Sequence, residues 1–200
     1  MNFSEILEAS IFLRPLNYLR VKSEYARRFN VYYPAIGAFL FYKVLVFDAE
    51  SGGQVSIGSR LSDVRDLVAL LIPFFVASLA AVSTFSGAKF LDEPFSGRQK
   101  ITIHLLRTYG EWETVDLTPR NFLRLLFAFC TMSSFFSFAI ISAADFIVEL
   151  STILGKTSSQ IFETLFLSTI CFSISHLFIS TILAVYFLSD YLLRNETIGR

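Results

Sequence analysis

The sequence predicts an all-α integral membrane protein. It should have four transmembrane helices, an N-terminal interfacial amphipathic helix and a small cytoplasmic β-hairpin between helices 2 and 3. Three observations carry this expectation. First, 54% of the 200 residues are hydrophobic and 17% are charged, with a mean hydropathy of +0.56; soluble domains hold about 45–50% apolar and about 25% charged residues. Second, four stretches approach the roughly 20 apolar residues a helix needs to cross a hydrocarbon core about 30 Å thick. Third, the basic residues, which balance the acidic ones overall, are sorted between alternate connecting segments. With 23 Phe but only 9 Gly and 5 Pro, the composition excludes a disordered or collagen-like chain.

A cytoplasmic arm is expected over residues 1–30. Phe3, Ile6, Leu7 and Ile11 share one face of a helix too short to span, so this segment reads as interfacial, ended by Pro15. Glu5 and Glu8 interrupt the apolar run that a signal peptide requires, so the segment is expected to be retained. The first span, 31–47, contains Lys43 and has Pro34 in its first turn. The second, 67–87, carries no charge; Pro73 removes a backbone bond there and predicts a kink. In the link at 88–121, ITIHLL and WETVDL alternate like strands around Tyr109, Gly110 and Glu111. An isolated hairpin is marginal in water, so it should pack on the arm, on a neighbouring subunit or on a soluble partner. Thr118 followed by Pro119 starts a helix ahead of the third span, 122–148. Thr157 and Gln160 have capping-box spacing ahead of the fourth, 164–188. Residues 189–200 form a tail.

Thirteen Lys and Arg residues fall in the arm, the 88–121 link with the first turn of the third span, and the tail; three fall in the other two links. Basic segments stay on the cytoplasmic side, so the chain is expected in the inner membrane with both ends and the hairpin in the cytoplasm. Tyr32, Tyr33, Tyr186 and Tyr191 then form an aromatic belt at that interface. Cys130 and Cys171 lie in antiparallel spans at depths about 18 Å apart, too far for a disulfide.

Several polar residues stand out. Lys43 and Asp145 sit at matched depth near the outer ends of the first and third spans. They either pair inside the bundle or lie at the boundary with Lys43 snorkelling outward. His176 lies mid-span among hydroxyls that include Ser173 and Ser180. It could line a proton or water path between the third and fourth spans of a channel or transporter. The preferred alternative is that the hydroxyls bond across helices and the neutral imidazole joins them. Arg20, Lys22, Arg27 and Arg28 of the arm suit an anionic inner leaflet. Arg98, Lys100, Arg107 and Trp112 of the link suit a soluble cytosolic partner. No phosphate loop, zinc helix or nucleophile elbow is present. No catalytic residue, metal ligand, cofactor or direct nucleic-acid contact is therefore expected.

In its length, its four spans, its cytoplasmic ends and its hairpin after the second span, the chain resembles the KwaA membrane subunits of the Kiwa bacterial anti-phage defence system. The resemblance is architectural and covers the whole chain, so no functional residue transfers with it. It implies a homo-oligomer that senses membrane disturbance during infection and couples to a soluble, DNA-binding cytosolic protein. A non-enzymatic sensor or scaffold is the leading functional expectation; a small channel or transporter subunit is the alternative.

Overall fold

A computed structural model describes residues 11–23, 27–50, 57–84, 91–95, 101–106, 112–144 and 156–191. Four helices dominate: α1 (Tyr33–Glu50), α2 (Ile57–Thr84), α3 (Pro119–Ser142) and α4 (Lys156–Tyr186). An antiparallel hairpin, β1 (Thr102–Leu106) with β2 (Trp112–Asp116), stands between α2 and α3 as expected. Leu61–Thr84, Pro119–Ser142 and Thr164–Ser189 are long and apolar enough to cross a membrane. Their outward surface is apolar too: Leu70 is 71% exposed, Phe136 63% and Leu165 62%. Such a surface suits lipid and would be a liability in water. These helices support a membrane protein and are compatible with several passes. α1 is not one of the three; its 18 residues rise about 27 Å and include Lys43, Asp48 and Glu50.

The element boundaries depart from the sequence expectation in ways that have local causes. Pro15 does not end a helix: Ile11–Arg20 forms a run of 3₁₀ turns with Pro15 inside it. A proline forfeits a single donor there, and the packing of Tyr18 and Leu16 against the main core holds the turn. Residues 1–10 lie outside the described residues. A π-turn, Arg28–Tyr32, precedes α1, and the Tyr33 amide donates to the Arg28 carbonyl. Pro34 has no amide to continue the regular ladder, so the widened turn falls just before it. α2 begins ten residues before the expected second span and takes in Asp63, Arg65 and Asp66. α3 starts as expected, with the Thr118 hydroxyl accepting from the Asn121 amide at 3.2 Å, but it closes at Ser142 and leaves Asp145 outside the described residues. α4 begins at Lys156, which puts Thr157 inside the helix and not at its cap.

α1 packs on α4, α4 on α3 and α3 on α2, so the helices stand in an open row with α1 and α2 at its edges. α2 meets α3 through Leu61, Val68, Phe75 and Val82, all buried at seven-residue spacing. That period keeps one seam facing one partner. α1 approaches α4 where Gly37 lies against Ser175; a Cβ on residue 37 would overlap the serine hydroxyl. Small residues at such a crossing let two membrane helices come close.

Two apolar cores result. The larger, at the hairpin end, joins Tyr18 and Val21 of the arm, Phe95 of the link, Ile103 of β1, Ile101 and Leu117 beside the strands, and Phe122, Leu126 and Phe127 of α3. The smaller, at the far end, holds Leu61, Ile141, Ala144, Ile170 and Ile174. Cys130 and Cys171 are free and buried.

Candidate functional site

The hairpin end is where the chain ties its irregular segments to its helices. Strand residues pair from Thr102 with Asp116 to Leu106 with Trp112. The arm then extends this small sheet: the Lys22 amide donates to the Thr102 carbonyl at 2.8 Å, and the Thr102 amide returns a bond to Lys22 at 3.0 Å. Of the partners open to the hairpin in the sequence, the arm is the one the structure supplies. Four residues earlier, Tyr18 is only 3% exposed. Its ring centroid lies 4.9 Å from that of Phe129 and 6.2 Å from that of Phe122, and its hydroxyl bonds Ser180. The arm therefore reaches both α3 and α4. Burial pushes the Tyr18 phenol above its ordinary value, so it stays neutral at any working pH.

The link closes the same assembly from the other side. Phe95 packs edge-on against Phe122 and Phe187, with centroids 6.2 and 6.1 Å away, and its amide donates to the Leu117 carbonyl at 3.3 Å. Beside it, Arg120 makes a forked ion pair with Asp92, at 2.6 Å through Nε and 3.0 Å through Nη2. Its Nη1 donates to the Val82 carbonyl at 3.3 Å, and Arg124 donates to the Ser83 carbonyl at 3.2 Å. Both carbonyls belong to the last turn of α2, which has no basic residue of its own. Two arginines from the next helix thus satisfy carbonyls that a helix end leaves open and oppose its negative dipole end. In the sequence these residues read only as topological charges; the signal that could have found Arg120 is a basic residue in the first turn of a helix, where the dipole disfavours it. Asp92, itself exposed, has its carboxyl held below the ordinary range by the hydrogen bonds from Arg120.

The midsection between α3 and α4 is polar. Ser134, Ser137, Ser175, His176 and Ser180 are all buried. Contrary to the expected cross-helix network, Thr131, Ser134, Thr169 and Thr181 each bond a carbonyl four residues back on their own helix. That local bond is always within reach, whereas a cross-helix partner needs the right register. Ser137 and Ser173 do meet across the helices, 2.7 Å apart, beside a small cavity lined also by Ile140, Ile141, Thr169 and Ile170. His176 does not join the hydroxyls. Its ring sits edge-on to Phe129, 5.1 Å between centroids, and parallel to Phe172, and Nε2 is buried with no hydrogen-bond partner.

The other sequence candidates separate. Lys43 is exposed, with its ammonium 5.6 Å from the Phe39 ring centroid; Asp145, its suggested partner, lies outside the described residues. Arg20 donates to the Asn17 side chain at 3.2 Å. Lys22 is exposed beside its backbone bridge, and Arg27 and Arg28 are exposed just before α1. Trp112 opens β2 opposite Leu106. Arg98, Lys100 and Arg107 lie outside the described residues. Among the described residues, no cluster of three His, Cys, Asp or Glu side chains is arranged for a metal. No family model, curated protein or solved structure matches this chain.

Proposed function

We propose that the chain is a non-enzymatic, four-span subunit of the inner membrane, with its hairpin end in the cytosol. It oligomerises and couples the state of the membrane to a soluble cytosolic partner; anti-phage defence is the setting that the KwaA resemblance implies. One observation carries the coupling. The arm is bonded at Lys22 to the hairpin and inserted at Tyr18 against α3 and α4. A change in how α3 and α4 pack moves the seat of Tyr18 and so displaces the strand edge to which Lys22 is bonded. Two alternative packings of one element are what such a switch requires. The test is a pulldown of the full chain from native cytosol: a stoichiometric soluble protein is captured, and deleting residues 98–117 abolishes capture. Retention of that protein by the deleted form would refute the role of the hairpin.

The half-buried Ser137–Ser173 pair and its cavity favour a second reading, a channel or transporter subunit. Purified protein in liposomes would then pass ions, and Ser137→Ala with Ser173→Ala would reduce the flux.

A further inference from the structure

The two edges of the helix row carry opposite charge at matching height. On α1, Pro34 is buried and Gly37 meets Ser175 of α4. At about 100° per residue, Lys43 stands about 180° round the helix from Pro34. It therefore points away from α4, among exposed Ile36, Phe39 and Leu40. On α2, Val68 marks the seam toward α3; Asp66 and Asp63 fall about 160° and about 140° from it, on either side of the opposite face. Both are exposed, and Leu70 beside them is 71% exposed. Arg65 bonds Asp66 at 3.3 Å, so this stretch keeps one net negative charge.

Height follows from the contacts between helices. The Gly37–Ser175, Ser137–Ser173 and Phe75–Phe127 contacts fix the register along the row. At 1.5 Å per residue, Lys43 lies about 6 Å toward the far end from the Ser137–Ser173 level, Asp63 about 3 Å toward it, and Asp66 about level with it. An edge charge near lipid is costly unless it is paired or reaches the boundary.

We propose that α1 of one copy packs against α2 of the next, with the Lys43 ammonium against the Asp63 and Asp66 carboxylates. Because the two edges differ, the contact is heterologous, and its repetition closes a ring or extends a row. This interface rests on the oligomerisation in the functional proposal and names the surface that provides it.

The experiment is oxidative cross-linking in native membranes of the full chain carrying Lys43→Cys together with Asp63→Cys. The expected result is a ladder of disulfide-linked dimers and larger species on a non-reducing gel, with neither single variant giving one. Dimers formed equally by Lys43→Cys alone would overturn the heterologous contact, and a double variant that stays monomeric would overturn the interface. Should the cysteine variants fail to accumulate, zero-length carbodiimide coupling of the unaltered protein must yield a Lys43 peptide joined to the Asp63 or Asp66 peptide; its absence has the same force. Lys43→Asp sets like charges together and should weaken association about tenfold or more, with Asp63→Lys added in the same chain restoring it. A monomer that still captures a cytosolic protein removes the interface and leaves the coupling function standing; an oligomer that captures nothing does the reverse.

Discussion

At residue 37 the side chain is a single hydrogen because α1 and α4 leave no more room. Gly37→Leu would drive a branched side chain into Ser175 and is expected to part the two helices, exposing Ser175 to a thiol reagent when it is replaced by Cys in that background. His176 poses the opposite case, a buried ring whose Nε2 has no partner. His176→Phe keeps the aromatic contacts with Phe129 and Phe172 and removes the orphan nitrogen. If the residue serves only packing, the variant should unfold at an equal or higher temperature, with recovery of up to about 1–3 kcal/mol. Arg120→Met would leave the buried Val82 carbonyl unmatched and return the exposed Asp92 carboxylate to water; thermal unfolding should show a loss of about 1–2 kcal/mol from the carbonyl. The pH dependence of the pair has a definite sign. Asp92 is more acidic folded than unfolded, so the pair stabilises the fold above the unfolded carboxyl value of about 3.9. Its contribution disappears only as pH falls through the lower folded value. Wild-type and Arg120→Met melting curves should therefore keep their full separation from neutral pH into the mildly acidic range and draw closer below it, the remaining gap being the pH-independent bond to the Val82 carbonyl.

At the scale of elements, the arm is the piece whose role was hardest to read. The interfacial helix expected from Phe3, Ile6, Leu7 and Ile11 lies mostly outside the described residues, and nothing in the spacing of the segment after it pointed to Tyr18 reaching α3 and α4 or to Lys22 bonding a strand. Periodicity reports which residues share a face; it does not report that a distant strand will offer two backbone partners. Tyr18→Ala should cost about 3 kcal/mol, in line with the loss of a buried aromatic. Amide exchange should then rise at Thr102 as well as in the arm; protection that persists at Thr102 would uncouple the hairpin from the arm. The three helices long and apolar enough to cross a membrane were legible because lipid demands long apolar runs, and the Thr118–Pro119 start because its chemistry is local. The hairpin was legible for the same reason. Arg120 and Arg124 were not, since capping a neighbouring helix depends on where α2 ends in space. Of the hydroxyls of α3 and α4, the Ser137–Ser173 pair does bond across the helices while Thr131, Ser134, Thr169 and Thr181 turn back on their own, because composition cannot distinguish a bond across helices from one to a carbonyl four residues back.

For the whole molecule, the row α1–α4–α3–α2 differs from a closed four-helix bundle in leaving two unlike edges. Among the described residues the cavity beside Ser137 and Ser173 is small, so in the channel reading a wider conducting path would form where copies meet. Detergent-solubilised protein should therefore run as a multimer by light scattering, and Lys43→Asp should lower that mass. A monomeric wild type would contradict both the proposed interface and any shared path.

The seat of the arm also sets an order of events in biosynthesis. Tyr18 is made early, but the Ser180 that bonds it and the Phe129 that stacks near it are made late. At about 5–20 residues per second the wait before Ser180 emerges is roughly 8–30 s. During that interval the arm has no complete binding place, and it docks only after α4 has been synthesised. Correct docking of the arm thus reports that α4 has joined α3, and truncated chains ending before α4 would leave it loose, where a protease can find it.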